Sequence, residues 1–388
     1  MRPKPYARYS TQHLGDMEYE AVLEAMWSNH LTQGPLVEQF ESALAAYVGA
    51  KYAVACNSGT AALHLAIAAT TNYGWNVLTS PLSFVATANA IDMAQCNPGF
   101  GDVDMATGNL SEPTGRFGYY HSDEDLRSRG LNPYGNRAPH LVVPVHYAGR
   151  ACDLGIFTAS IVEDACHALG AMDYDGCSRV GSCRHSLATC FSFHPVKPIT
   201  TGEGGAVTTN DPTIAARMRL VRSHGRDANG EMIAMGYNYR MGELAAALGL
   251  AQLKRCDTMR HLRVRLAADY YNELLGLHGK GLLLPPLPDD KAQDRNAWHL
   301  FPVRITQGRR DDVKAALLAK GIGVQVHYKP IHEQPYYVVR HAHPAELYPN
   351  AHTWGQEELS LPLHAGMSSA DVLYVVAALR EALRPNSA

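Results

Sequence analysis

The chain has 388 residues, 46% of them hydrophobic, and a formal net charge of −3. That length outgrows one small core and suits a large domain with a smaller one, and the charge gives no ground for nucleic acid as a partner. No apolar run reaches the ~18–20 residues of a membrane span, no signal-peptide pattern opens the chain, and the 8 cysteines form no C-x-x-C pair, so a cytoplasmic protein with reduced thiols is expected.

Helical periodicity marks Tyr19–Trp27 and Val37–Tyr47. Apolar strand-like runs then recur at Val54–Cys56, Val77–Thr79, Phe100–Val103, Leu141–Val145, Ile161–Glu163, Leu187–Phe193 and Ala206–Thr209. A long helix is predicted over Glu243–Leu275, after which Pro285-Pro286 and Pro288-Asp289-Asp290 punctuate the chain. Strands at His299–Ile305 and Val324–His327 alternate with helices at Asp311–Lys320 and Ser369–Leu383. The pattern predicts a large α/β domain over 1–266 with a mainly parallel central sheet, and a smaller α+β domain over 267–388. The boundary falls near Ala267, inside or just after the long helix.

Four segments carry chemistry. Asn57-Ser58-Gly59-Thr60-Ala61-Ala62-Leu63 follows a strand and opens a good helix former. Ser58 and Thr60 suit a cap, and Gly59 lets backbone N–H groups approach a phosphate, although an ordinary capped helix has the same look. Pro81 to Ala90 offers Phe84, a ring able either to stack on a planar ligand or to fill core. Ile161 to Gly170 runs an apolar strand into Glu163, Asp164 and His167. An acid at a strand's carboxyl end can cap a helix or hold a pyridine nitrogen protonated, and His167 can be a core histidine or a partner for a phenolic oxygen. Phe191 to Gly205 places Lys197 between an apolar run and a glycine cluster. Most lysines are solvated; one desolvated in such a loop falls below its usual ~10.4 and attacks an aldehyde. Together the four segments point to pyridoxal phosphate held as a Schiff base. A zinc hydrolase is not supported, because His332-Glu333 lacks a histidine four positions on, and His341-Ala342-His343 reads as a surface loop.

The ordered strings N-S-G-T-A-A-L, S-F-V-A-T-A-N-A-I, E-D-A-C-H-A-L-G and F-S-F-H-P-V-K-P-I-T-T-G-E-G-G-A-V resemble the DegT/DnrJ/EryC1/StrS family of fold-type-I, pyridoxal-phosphate-dependent aminotransferases. Leu31 to Pro35, Arg222 to Gly225, Gly236 to Arg240, Val326 to Ile331 and Leu359 to Pro362 extend the likeness over nearly the whole chain. It implies Lys197 as the Schiff-base lysine and proton shuttle, Asp164 at the pyridine nitrogen, His167 beside the phenolic oxygen and Phe84 stacked on the ring. It also implies Gly59, Thr60, Ala61 and Ser192 at the phosphate, joined by Asn238 from a partner subunit, hence a homodimer with a shared active site. Tyr9, the stretch Asn29, His30, Leu31 and Thr32, and the loop His327, Tyr328, Lys329 and Pro330 resemble substrate-contacting segments.

Within the family, H-P-V-K-P-I-T-T-G-E-G-G-A-V and Q-V-H-Y-K-P-I resemble the branch that aminates C4 of a UDP-4-keto-6-deoxy-N-acetylhexosamine from L-glutamate, as in pseudaminic acid biosynthesis, through the pyridoxamine 5'-phosphate form. Amination at C3, or of a cyclitol or aminoglycoside precursor, would share every cofactor residue. A binding or regulatory protein that kept the fold without turnover is a further alternative, opposed by the presence of Lys197, Asp164 and His167. The polar segment from Gly108 to Pro139, with Arg116, Arg127, Arg129 and Arg137, reads as a solvated insertion, with contact to a nucleotide diphosphate as the other reading.

Overall fold

A computed structural model describes residues 8–117, 137–286, 295–341 and 345–384. Arg127, Arg129, Pro288, Asp289, Asp290 and His343 lie outside them.

Among the described residues, eight strands form the main sheet: β1 Tyr52–Cys56, β2 Asn76–Thr79, β3 Asn97–Phe100, β4 Arg116–Phe117, β5 Leu141–Val143, β6 Ser160–Asp164, β7 Ala188–Ser192 and β8 Gly205–Thr209. Their spatial order is β1-β8-β7-β6-β5-β2-β3-β4. The run from β7 through β6, β5 and β2 to β3 is parallel, while β8 lies antiparallel to both neighbours and β4 antiparallel at the far edge. The parallel strands are short and apolar because helices cover both faces. A second sheet, ordered β11-β10-β9, comprises β9 Leu282–Leu283, β10 Phe301–Ile305 and β11 Glu358–Leu361, all antiparallel.

The helices are α1 Asp16–Trp27, α2 Pro35–Val48, α3 Gly59–Thr70, α4 Ala86–Met93, α5 Pro212–Arg222, α6 Glu243–Lys254, α7 Cys256–Leu274, α8 Arg310–Ala319, α9 Pro335–His341, α10 Pro349–Glu357 and α11 Ser369–Ala382. Helix α3 is buried almost all round, which its run of alanines and leucines permits, and it packs on β7, β8, α4 and α5. No helix among the described residues is long and apolar enough to cross a membrane.

Two expectations are corrected. The single helix over Glu243–Leu275 is two, broken at Arg255, whose ψ of 0° leaves the helical path. The break turns the Arg255 guanidinium onto both oxygens of buried Glu18, at 2.8 Å each, and onto His13 Nδ1 at 2.7 Å. The stretch Val324–His327 is not a strand. Only Gln325 bridges Ser360, and the next ladder position is taken over by a side chain, because the His327 N–H goes to the Glu358 carboxylate.

Core partners change along α7. Cys256 and Met259 pack with Phe40, Leu44 and Phe193 of the large unit, whereas Leu266, Tyr270 and Leu274 pack with Phe301, Val303, Val375 and Leu379.

Candidate active site

The carboxyl ends of β6 and β7 bring the chemistry-bearing residues together. Asp164 ends β6 and is buried; its Oδ2 accepts the Thr87 hydroxyl at 2.7 Å and its Oδ1 the Cys166 N–H at 3.1 Å. Thr87 sits in the first turn of α4 and is itself 2.9 Å from the Ser83 hydroxyl, so the loop after β2 fixes the carboxylate's orientation.

Lys197 follows β7 in a loop closed by its own N–H to His194 O and by the Thr201 N–H to Phe193 O. Thr200 Oγ1 also donates to Phe193 O. Burial lowers the Lys197 ammonium below its ordinary value, opposed by the nearby Cys166 and Asp164. Its Nζ makes no hydrogen bond among the described residues, so the amine stands free in a site whose burial works against its charged form.

His167 is buried with its Nε2 3.1 Å from the Tyr328 hydroxyl, and its ring 4.3 Å from that of His299. Burial, then the charges of Lys197 and His327, push it well below the usual histidine range, so it is a neutral imidazole. Its Nδ1 is sealed from solvent and has no partner among the described residues. Phe84 is 57% exposed, its ring 6.0 Å from that of Tyr328, with an open face rather than a place in the core.

At the start of α3, Ser58 caps by accepting the Ala61 N–H at 3.1 Å. The N–H groups of Gly59 and Thr60 have no intrahelical acceptor. A Cβ on Gly59 would lie 2.6 Å from Ser192 Cβ and 2.9 Å from its Oγ, so only glycine lets this helix end meet the end of β7. The Ser192 hydroxyl and the helix terminus thereby converge, as an anion cradle needs.

The remaining expected residues divide. Tyr9 is brought in: its carbonyl accepts the Leu363 N–H, its ring lies 5.3 Å from that of His327, and Ser10 donates to Val196 O beside Lys197. His327 and Tyr328, joined by a cis peptide, stand at the site, while Lys329 is exposed and Pro330 packs on Gly355. Asn29, His30, Leu31 and Thr32 are exposed and tied instead to the start of α6, through Leu31 O to the Glu243 N–H and a Thr32–Gly242 bridge. Asn238 is held by its main chain, whose carbonyl accepts from Asn57 Nδ2 at 3.2 Å, one residue before the Ser58 cap. Arg116 is paired with Glu112 at 3.2 Å and lies over the Tyr348 ring. Thr87, Ser10, His299 and Glu358 were missed by sequence reasoning. Thr87 lies inside the S-F-V-A-T string and was within reach of it; the other three carry no local signal.

These features fit pyridoxal phosphate. The unpaired buried Nδ1 of His167, the free Lys197 amine and the glycine-gated meeting of α3 with Ser192 are an incomplete polar set. An aldehyde, an aromatic ring and a phosphate would complete it.

Comparison with known proteins agrees. The DegT/DnrJ/EryC1/StrS aminotransferase family model matches residues 12–380. Spore coat polysaccharide biosynthesis protein SpsC of Bacillus subtilis is 35% identical over 401 residues, covering 97% of each chain. A Campylobacter jejuni UDP-4-amino-4,6-dideoxy-N-acetyl-beta-L-altrosamine transaminase is 34% identical over 374 residues, covering 95% of each. Among solved structures, Helicobacter pylori PseC, an aminotransferase of pseudaminic acid biosynthesis, superposes with a TM-score of 0.82 at 30% identity, covering 97% of this chain and 99% of that one. NtdA of Bacillus subtilis, solved with bound pyridoxamine phosphate, gives 0.79 at 26%, covering 96% and 83%. The chain therefore belongs to the DegT/DnrJ/EryC1/StrS aminotransferase family and is a pyridoxal-phosphate-dependent sugar aminotransferase.

Proposed function

We propose that the enzyme moves the amino group of L-glutamate to C4 of a UDP-4-keto-6-deoxy-N-acetylhexosamine, as in pseudaminic acid biosynthesis. The observation that carries this reading is the free, desolvated Lys197 beside Asp164 and His167, on a chain similar end to end to a transaminase named for a UDP-4-amino sugar. The likeness to PseC supports the same class of substrate.

Bound pyridoxal phosphate supplies an aldehyde that receives the amino group and a ring that takes up carbanion charge. The chain's residues supply the rest. Lys197 would anchor the cofactor and, once released, its Nζ would carry the proton taken from the amino-acid Cα. Asp164, oriented by Thr87 and the Cys166 N–H, keeps the pyridine nitrogen protonated. Neutral His167 serves the phenolic oxygen and Phe84 covers the ring face. Gly59 and Thr60 offer backbone N–H groups to the phosphate with the Ser192 hydroxyl, while the Ala61 N–H is shared with the Ser58 cap.

Asn238, held through its main chain beside the Ser58 cap, and Asn29, His30, Leu31 and Thr32, exposed and tied to the start of α6, are read as serving the partner's site in a homodimer. Tyr9 and the loop His327, Tyr328, Lys329 and Pro330 border the sugar nucleotide. The domain division near Ala267 is supported by the change of core partners along α7 between Met259 and Leu266.

The test is to incubate the holoenzyme with L-glutamate and a UDP-4-keto-6-deoxy-N-acetylhexosamine and to locate the new amine by NMR. A 4-amino product is expected. An untouched 4-ketone, with a 3-keto isomer supplied in parallel aminated at C3, would overturn the positional assignment.

A further inference from the structure

Behind the His327–Pro330 loop lies a cluster of titratable groups that the roles above do not use. Strand β11 alternates, so Leu359 and Leu361 enter the smaller core while Glu358 and Ser360 face the loop. Glu358 and Ser360 are both 0% exposed and His327 is 6% exposed. Glu358 Oε2 accepts the His327 main-chain N–H at 2.5 Å, and its other oxygen lies 2.6 Å from Ser360 Oγ. Ser360 Oγ in turn lies 2.9 Å from His327 Nδ1. The Tyr147 hydroxyl donates to the His327 carbonyl, so both polar groups of this residue's main chain are held. His327 Nε2 has no hydrogen-bond partner among the described residues, and the ring stands beside Tyr9 within the electrostatic reach of Lys197.

We propose that Glu358, acting through Ser360, is a positioning residue that sets which nitrogen of His327 carries the proton, and so whether His327 donates or accepts toward the sugar. This rests on the reading of His327–Pro330 as a sugar-contacting loop.

A hydroxyl has one proton to give, so the chain Glu358–Ser360–His327 has two internally consistent states. With Glu358 protonated, its O–H donates to Ser360 Oγ, Ser360 donates to His327 Nδ1, and the imidazole proton is on Nε2, pointing a donor outward. With Glu358 ionised, Ser360 donates to the carboxylate, Nδ1–H donates to Ser360, and Nε2 is an acceptor. The imidazole stays neutral in both, because burial and then the Lys197 charge lower His327 to about 3.

Burial raises the Glu358 carboxyl to about 8, opposed by the Ser360 and His327 hydrogen bonds and by Arg310 and Lys314. Of the other groups facing the cluster, burial holds Tyr9, Tyr147 and Tyr328 protonated and His167 and His299 neutral. Lys197 is lowered too, which makes the tautomer, rather than a rate, the primary readout.

The experiment is a long-range 1H–15N NMR spectrum of the holoenzyme labelled at histidine nitrogen, without sugar. The His327 signal is identified by its loss in His327→Asn. At about pH 6.5 the wild type should show the Nε2–H tautomer, and at about pH 9.5 the Nδ1–H tautomer. Glu358→Gln, whose amide donates to Ser360 and whose oxygen accepts the His327 N–H, should hold Nε2–H at both, and Ser360→Ala should abolish the pH dependence. In parallel, kcat/KM for the sugar should fall at least about tenfold between these pH values in wild type relative to Glu358→Gln. A wild-type tautomer that does not change, or a Glu358→Gln protein that follows wild type, would overturn the relay. A tautomer that changes as expected without any change in sugar kcat/KM would overturn only the placement of the sugar at His327.

Discussion

Lys197 is free because its loop satisfies its own backbone and leaves the side chain without a hydrogen-bond partner among the described residues. Its removal therefore strands no buried group, and Lys197→Ala should keep wild-type circular dichroism and Tm. Turnover should drop by at least the ~10²–10⁴-fold of a lost acid–base group, since the covalent anchor goes as well. Wild-type turnover by a folded Lys197→Ala protein would contradict the assignment. Lys197, Asp164 and His167 were legible in the sequence because a strand end, an acid and a glycine-flanked lysine are local patterns in fixed order. Thr87 and Glu358 act across the fold, 77 residues from Asp164 and 31 from His327. A carboxylate at the start of an alternating strand gives no local sign that it is buried. The Asn29–Thr32 stretch was legible as a motif, yet nothing in one chain shows which site it reaches.

At the scale of elements, most strands were readable because parallel strands under helices are short continuous apolar runs. The long helix was misread because Glu243–Leu275 keeps helical composition across its break. What interrupts it is tertiary: Glu18, held by Gln252 Nε2 at 2.8 Å and by Arg255, draws the chain off the helical path. Similarly, Val324–His327 has strand composition, but the Glu358 side chain takes the His327 N–H that a ladder would have used. The break carries a consequence for stability. Arg255→Ala leaves a buried carboxylate with only Gln252 and the Gly15 N–H, and should cost about 2 kcal/mol in urea unfolding, less than a fully buried pair because Arg255 is partly exposed. A loss no greater than that of Lys254→Ala, at the preceding residue, would contradict this account of the break.

At the scale of the molecule, α7 carries the chain from one core to the other, while the Tyr9–Leu363 and Tyr328–His167 contacts bring the far end of the chain onto the site. The loop before Asn238 exposes Met232, Ile233 and Met235, at 74%, 62% and 71%, an apolar edge consistent with the proposed dimer. If the sites are shared, a mixed population of Lys197→Ala and Asn238→Ala subunits contains heterodimers with one intact site. Its activity should exceed the mean of the two separate preparations, and equality with that mean would contradict shared sites. The central claim, that these residues run amino transfer from L-glutamate, is tested most directly by the visible absorbance of the purified holoenzyme before and after adding that amino acid. A yellow band that bleaches on addition, and that Lys197→Ala fails to reproduce, is the expected result. A protein that takes up no cofactor, or a band inert to L-glutamate, would contradict it.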